Sequence, residues 1–278
     1  MTESPAPGSP GAPEAPGGPR LSVIVITKNE VQRLRRCLES VPFADEIVVV
    51  DSASTDGTPR LAQELGARVI ATADWPGFGP QKNRALEAAR GAWVLSLDAD
   101  EWLSPELAEQ VQAVVRRPPA ADTPAAYALP RLSSFCGQWM RHSGWYPDRV
   151  ERLFQRGRAR FSDDLVHERL QVEGRVDTLG GGHLLHDSIP SLHLAVDKMN
   201  RYSSGRAQDL LRAGRRGSLG RAVGHGLWAF VRTYFLKRGF LDGRLGFVLA
   251  VNNGEASYYR YLKMWLDTAA RPAAGPPV

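Results

Sequence analysis

The chain has 278 residues, 43% hydrophobic and 23% charged, with a formal net charge of +5. That make-up is globular, sufficient for one large domain or two small ones, and its basic balance suits an anionic partner: phosphate, nucleic acid or a membrane surface. Two cysteines, Cys37 and Cys136, are too few for a disulfide framework and wrongly spaced for zinc, and no uncharged apolar run reaches the about 18 residues needed to span a bilayer.

Residues 1–20 hold six Pro and four Gly and little that is apolar, so a disordered tail is expected, without the order of a secretory signal. LSVIVIT (Leu21–Thr27) is a β-branched apolar run that fits a strand buried on both faces. EVQRLRRCLESV follows with Val31, Leu34, Cys37, Leu38 and Val41 at helical spacing. EIVVVD (Glu46–Asp51) predicts a second buried strand. STDGTPRLAQELGA predicts a helix with Thr58 as N-cap, Pro59 as its first helical residue and Gly66 as its stop. ARVIA (Ala67–Ala71) predicts a third strand, PQKNRALEAARG a helix ended by Gly91, and AWVLSLDAD a fourth strand. SPELAEQVQAVV predicts a helix capped by Ser104, with Leu107, Val111, Val114 and Val115 on one face. Arg116–Arg131 reads as a loop. From Leu132 to Ser188 the pattern changes to short strands, turns and aromatics. From Met199 to Arg244 ten Lys/Arg and only two acids are interleaved with Leu227, Trp228, Phe230, Val231, Tyr234 and Phe235, which describes an amphipathic basic segment.

Strands alternating with helices predict an α/β fold, a mostly parallel sheet flanked by helices, followed by a helical, basic extension. Ligands bind such sheets beyond the carboxyl ends of the strands. Thr27, Asp51 and the pair Asp98/Asp100 each fall at such an end. The stretch VLSLDADE therefore raises a choice. Two carboxylates at i and i+2 can hold Mg²⁺ or Mn²⁺ together with a diphosphate. An acidic turn before a helix start is the plainer alternative, since Glu101 and Glu106 also favour that N-terminus. The apolar strand before it and the matching Asp51 favour the site.

In order and spacing, LSVIVITKNE, EIVVVDSASTDGT and GPQKNRALEAARGAWVLSLDADE resemble the amino-terminal half of family 2 glycosyltransferases, the inverting GT-A fold. DWPGFGPQKNRAL with SLDADE, and the later WYPD, RLF, VHE and FLKRGFLDGRLGF, are similar to the branch that adds sugars to lipopolysaccharide core. The resemblance implies a GT-A catalytic domain over residues 21–195, with a nucleotide-sugar half at 21–115 and an acceptor half at 132–195. A helical, membrane-associating extension at 196–268 and a loose tail at 269–278 complete the expectation. By match, Thr27, Asn29, Glu30 and Asp51 hold the nucleotide base, and Asp51 can accept from a uracil N–H, which suits a UDP-sugar. Many relatives carry a second acid after this Asp, where this chain has Ser52. Lys82 resembles the position that reaches ribose or phosphate, with a solvated helix lysine as the alternative. Asp98 is implied for ribose or metal and Asp100 for the metal directly.

Inverting transfer also needs a general base. The Glu-Asp pair many relatives use after the DxD has no plain copy here. FSDDLVHERL offers Asp163, Asp164 and Glu168, and position in the VHE element favours Glu168. A later histidine often completes such a site; His186, after a Gly-rich turn, is the candidate metal ligand ahead of His167, with ordinary packing as the alternative for both. Trp145, Tyr146, Arg149 and Arg152 could meet a sugar face or phosphates, or simply pack.

The expected activity is metal-dependent, inverting transfer of a hexose, UDP-glucose being the first choice of donor, to a lipopolysaccharide-core or other lipid-linked acceptor. The expected place is the inner face of the cytoplasmic membrane, against an anionic surface; no nucleic-acid motif accompanies the charge. Two rivals are a sugar nucleotidyltransferase, against which stands the lack of a glycine-rich triphosphate loop, and a non-catalytic basic binder.

Overall fold

The computed structural model describes residues 19–163 and 168–269. Expectations for residues 1–18 and 270–278, and for Asp164 and His167, lie outside the described residues. The chain divides into two compact units, residues 1–130 with 149–185 and residues 131–148 with 186–278.

The first unit alternates strands and helices: β1 (Leu21–Thr27), α1 (Val31–Glu39), β2 (Glu46–Ser52), α2 (Thr58–Glu64), β3 (Arg68–Thr72), α3 (Phe78–Ala88), β4 (Trp93–Asp98), β5 (Glu101–Leu103) and α4 (Pro105–Val115). β6 (Ala126–Phe135) runs from this unit into the second, which holds β7 (Gln138–Trp139). β8 (Asp148–Gln155), β9 (Ala159–Phe161), β10 (Leu170–Val172) and β11 (Val176–Thr178) return to the first. The order β3-β2-β1-β4 is parallel throughout, and β8 then pairs antiparallel with β4.

Alternation along the strands separates two apolar layers. Val23, Val25, Val49, Leu95 and Leu97 pack with Leu34, Cys37 and Leu38 of α1, Leu61 of α2 and Leu107 and Val111 of α4. Ile24, Val48, Val50 and Val94 pack with Ala85 of α3 and with Phe154 and Phe161. The predicted loop at Arg116–Arg131 needs correction, because Ala126–Arg131 is strand. A proline is disfavoured inside a strand, but burial of Ala126, Ala128 and Leu129 outweighs Pro130 here. Thr58, expected as an N-cap, is the first helical residue, and Gly57 at φ +86° caps α2. Ser104 caps α4 as expected, accepting from the Leu107 N–H.

β12 (Leu184–Ile189) leads into the second unit, whose body is α5 (Leu192–Arg212), α6 (Leu219–Val231), a π-helical turn (Arg232–Leu236), a 3₁₀ turn (Gly239–Asp242) and α7 (Gly243–Ala269). Cys136 at φ +50° and Gly137 at φ +83° form the tight turn that pairs β7 with Ser134 and Phe135 of β6. α7 packs against α5 and α6. A Cβ at Gly226 of α6 would stand 3.2 Å from the Gly254 carbonyl of α7, so this helix pair approaches closely through glycine. Among the described residues no helix is long and apolar enough to cross a membrane.

Candidate active site

The parallel register aligns the strand ends. Thr27 stands opposite Asp51, and Ile26 opposite Asp98. Two loops are then laced together there. The Thr27 hydroxyl donates to Asp51 Oδ1 at 2.8 Å, and Ser54 donates to Asp51 through both its N–H (2.9 Å) and its hydroxyl (2.5 Å). Asn29, at φ +58°, donates its N–H to Ser54 Oγ and accepts from the Thr55 N–H, both at 2.8 Å. The Glu30 N–H donates to Thr58 Oγ1 at 2.9 Å. Thr27, Asn29, Glu30 and Asp51 thus form one hydrogen-bonded ledge beyond β1 and β2. Asp51 is only 1% exposed and serves first to hold that ledge.

Beyond β4 lies a chain of paired charge in which Lys82, Arg152 and Glu101 are buried and Asp98 and Glu168 half-buried. Asp98 Oδ1 meets Lys82 Nζ at 2.9 Å, and Asp98 Oδ2 meets Arg152 at 2.6 Å. Arg152 also meets Glu101 Oε1 at 2.7 Å, while Glu101 Oε2 accepts the Asp98 N–H at 3.1 Å. Lys82 continues the chain to Glu168 Oε1 at 2.9 Å. Lys82 is 2% exposed, so the alternative of a solvated helix lysine fails. Its neighbours on α3 are buried too: Gln81 donates to Ser52 and Thr72, and Asn83 exchanges two hydrogen bonds with Phe161. A charge buried at this depth persists only when paired and hydrogen-bonded, as this one is.

The electrostatics follow. Burial would raise the Asp98 carboxyl, but Arg152 and Lys82 overcome it and hold the group well below the usual carboxylate range. Burial opposes the charge on Arg152, yet Asp98 and Glu101 keep the guanidinium more firmly protonated than usual. Burial pushes the Glu30 carboxyl up against the pull of Arg33, and the negative charge of Asp100 adds to the rise. Burial and the acids Glu101, Asp98 and Asp100 push the Cys37 thiol far up, which makes it an inert packing residue.

The structure therefore brings together Asp98, Lys82 and Glu168. His186 lies in the second unit with Nδ1 3.0 Å from Ser133 Oγ. Trp145 packs edge-on against Phe135, also in the second unit. No group of three or more His, Cys, Asp or Glu among the described residues is arranged to hold a metal ion. Sequence reasoning missed Glu101 as a member of the site. It is fully buried, and its signal was a third acid at the strand end, answered by the arginine of RLF.

A mostly parallel sheet with acids gathered beyond its strand ends places the chain in the α/β class, with its ligand site expected at that edge. The model of the family described as glycosyl transferase family 2 matches residues 22–168, and the chain belongs to that family. The chain is 33% identical over 254 residues to an uncharacterised glycosyltransferase of Rickettsia typhi, covering 88% of this chain and 86% of that protein. It is 30% identical over 264 residues to the lipopolysaccharide core biosynthesis glycosyltransferase LpsC of Rhizobium meliloti, covering 91% and 95%. The protein is thus a glycosyltransferase with a lipopolysaccharide-core relative. Among solved structures, residues 1–349 of S. aureus TarS in complex with UDP-GlcNAc align over 93% of this chain and 94% of that one, at 16% identity and TM-score 0.47.

Proposed function

We propose that this glycosyltransferase moves a hexose, with inversion, from a UDP-sugar such as UDP-glucose to a lipopolysaccharide-core or other lipid-linked glycan at the inner face of the cytoplasmic membrane. The observation that carries the reading is the ion chain Glu101–Arg152–Asp98–Lys82–Glu168 beside the ledge of Thr27, Asn29, Glu30 and Asp51. The ledge is assigned to the nucleoside, and the chain joins the β4 end to the candidate base. The relationship to LpsC supports the acceptor class.

We assign a divalent ion to one position among these acids. Both oxygens of Asp98 already meet cations, so Mg²⁺ or Mn²⁺ is assigned to Asp100, with donor phosphates and water completing its shell. The mutual repulsion of Asp100 and Glu30 is what a cation there would relieve. When bound, the ion would neutralise charge on the departing diphosphate. His186 has no part in this assignment. The protein's own groups do the rest. Glu168, held by Lys82, accepts the proton of the acceptor hydroxyl as that oxygen bonds to the anomeric carbon and the C–O bond to the diphosphate breaks. Release of UDP from UDP-glucose with Mn²⁺, in the presence of lipopolysaccharide-core acceptor, is expected for the wild type and lost in Asp100→Ala or in EDTA. Full activity in either case sinks the metal assignment.

A further inference from the structure

In the second unit the usual arrangement of a surface helix is reversed. The inward face of α6 is small, with Ala222 and Gly226 buried, and the outward face carries Leu219, Val223 and Leu227 at i, i+4 and i+8. Leu227 is 63% exposed and Trp228 55%. The stripe continues at the end of the helix, where Phe235, Leu236, Phe240, Leu241 and Phe247 are all exposed. Ring contacts join the aromatic members: Tyr234 packs on Phe235, Phe240 and Phe247 with centroids 5.1–6.2 Å apart.

Along this stretch of chain the charge is nearly all of one sign. Residues 210–254 contain eight Lys/Arg and a single acid, Asp242. Asp242 is buried, and accepts from the backbone of Arg141 and His142 and from the Ser143 hydroxyl within the same unit. Arg221, Arg232, Lys237, Arg238 and Arg244 are exposed among the apolar side chains. Contiguous exposed apolar surface marks an interaction site, and a rim of arginines around aromatic and aliphatic residues complements an anionic lipid surface, where rings sit at headgroup depth.

We propose that the outward face of α6 and the turns from Arg232 to Phe247 dock the protein on an anionic bilayer. This deepens the lipid-linked-acceptor reading above and rests on it only for its purpose, not for the binding itself. The test is sedimentation of the full-length protein with phosphatidylcholine vesicles made with and without phosphatidylglycerol. The wild type is expected to sediment with the anionic vesicles and be released by salt. Leu227→Ser/Trp228→Ser, and separately Arg232→Glu/Arg244→Glu, should each weaken that binding about tenfold or more. All four positions are exposed, so thermal midpoints should stay at the wild-type value; the charge-reversal pair decides the matter if the apolar pair unfolds. A wild type that stays in the supernatant overturns the proposal. So does self-association by light scattering that these substitutions abolish while vesicles go unbound, because the face would then serve a second copy of the chain. UDP binding, measured on the same preparations, separates this from the donor reading: its loss would fell that reading and leave vesicle binding untouched.

Discussion

The two units treat polarity in opposite ways. In the first, charge is inside: Lys82, Arg152 and Glu101 are buried at a strand end, and Gln81 and Asn83 are sealed around them. In the second, Leu227, Trp228, Phe235 and Leu241 face out, while small residues line the α6–α7 contact. Folding alone rewards neither choice, since burying charge costs solvation and exposing apolar surface forgoes burial. Each arrangement becomes intelligible when a ligand completes it. On the reading proposed above, the fixed charge at the sheet edge awaits a metal-bound donor and the exposed face a lipid surface.

The sharpest way to break this comparison is to remove one arginine from each unit. Arg152→Ala takes the guanidinium from the fully buried Glu101 carboxylate, and chemical denaturation should show a loss of about 3–5 kcal/mol. Arg232→Ala, at an exposed position, should stay within about 0.5 kcal/mol of wild type. Glu168→Gln comes next: turnover should fall about a hundredfold or more while donor affinity holds, as steady-state kinetics would separate. Ser104→Ala removes the cap to Leu107 and the 3.0 Å bond from the His183 N–H, and a loss of about 1 kcal/mol is expected in thermal melts.

The smallest effect is in pH dependence, where two acids of the site act with opposite sign. Asp98 has a depressed folded value, so its contribution is present above the unfolded value near about 4 and is lost only as pH falls through its much lower folded value. Glu30 is raised, so stability falls as pH rises from its unfolded value through its folded one. Glu30→Gln should therefore stabilise the metal-free protein at neutral pH by less than about 1 kcal/mol, and the gain should vanish in acid. Melts of both proteins across pH measure this; an equal gain in acid would contradict it.

Much of the first unit was legible because its signals are local. β1 coincides with Leu21–Thr27, since a two-faced buried strand needs an unbroken apolar run and the sequence shows one. Convergence of Thr27, Asp51 and Asp98 followed from the parallel topology alone. What stayed hidden depends on partners distant in sequence. Lys82 stood between a donor contact and a solvated helix lysine in the sequence, and its pairing with Asp98 and Glu168 was not visible there. Glu101 reads as a helix-start acid until Arg152, fifty-one residues on, meets it. Thr58 looked like a cap because its hydroxyl is of capping type, but that hydroxyl serves the Glu30 N–H of another loop. In the second unit the composition announced an amphipathic basic segment. Only the packing of Gly226 against α7 shows that the apolar face is the one left outside.

The central claim is that the β1, β2 and β4 ends form a metal-assisted donor site with Asp100 at its metal. Thermal shift with UDP-glucose, with and without Mn²⁺, on wild type and Asp100→Ala tests it most directly. At about a hundredfold excess over the dissociation constant, donor with Mn²⁺ should stabilise the wild type by about 2.7 kcal/mol, a shift of several degrees. Neither donor alone nor Asp100→Ala with both should show that shift. An equal shift in Asp100→Ala, or none in the wild type with any nucleotide-sugar, would contradict the account.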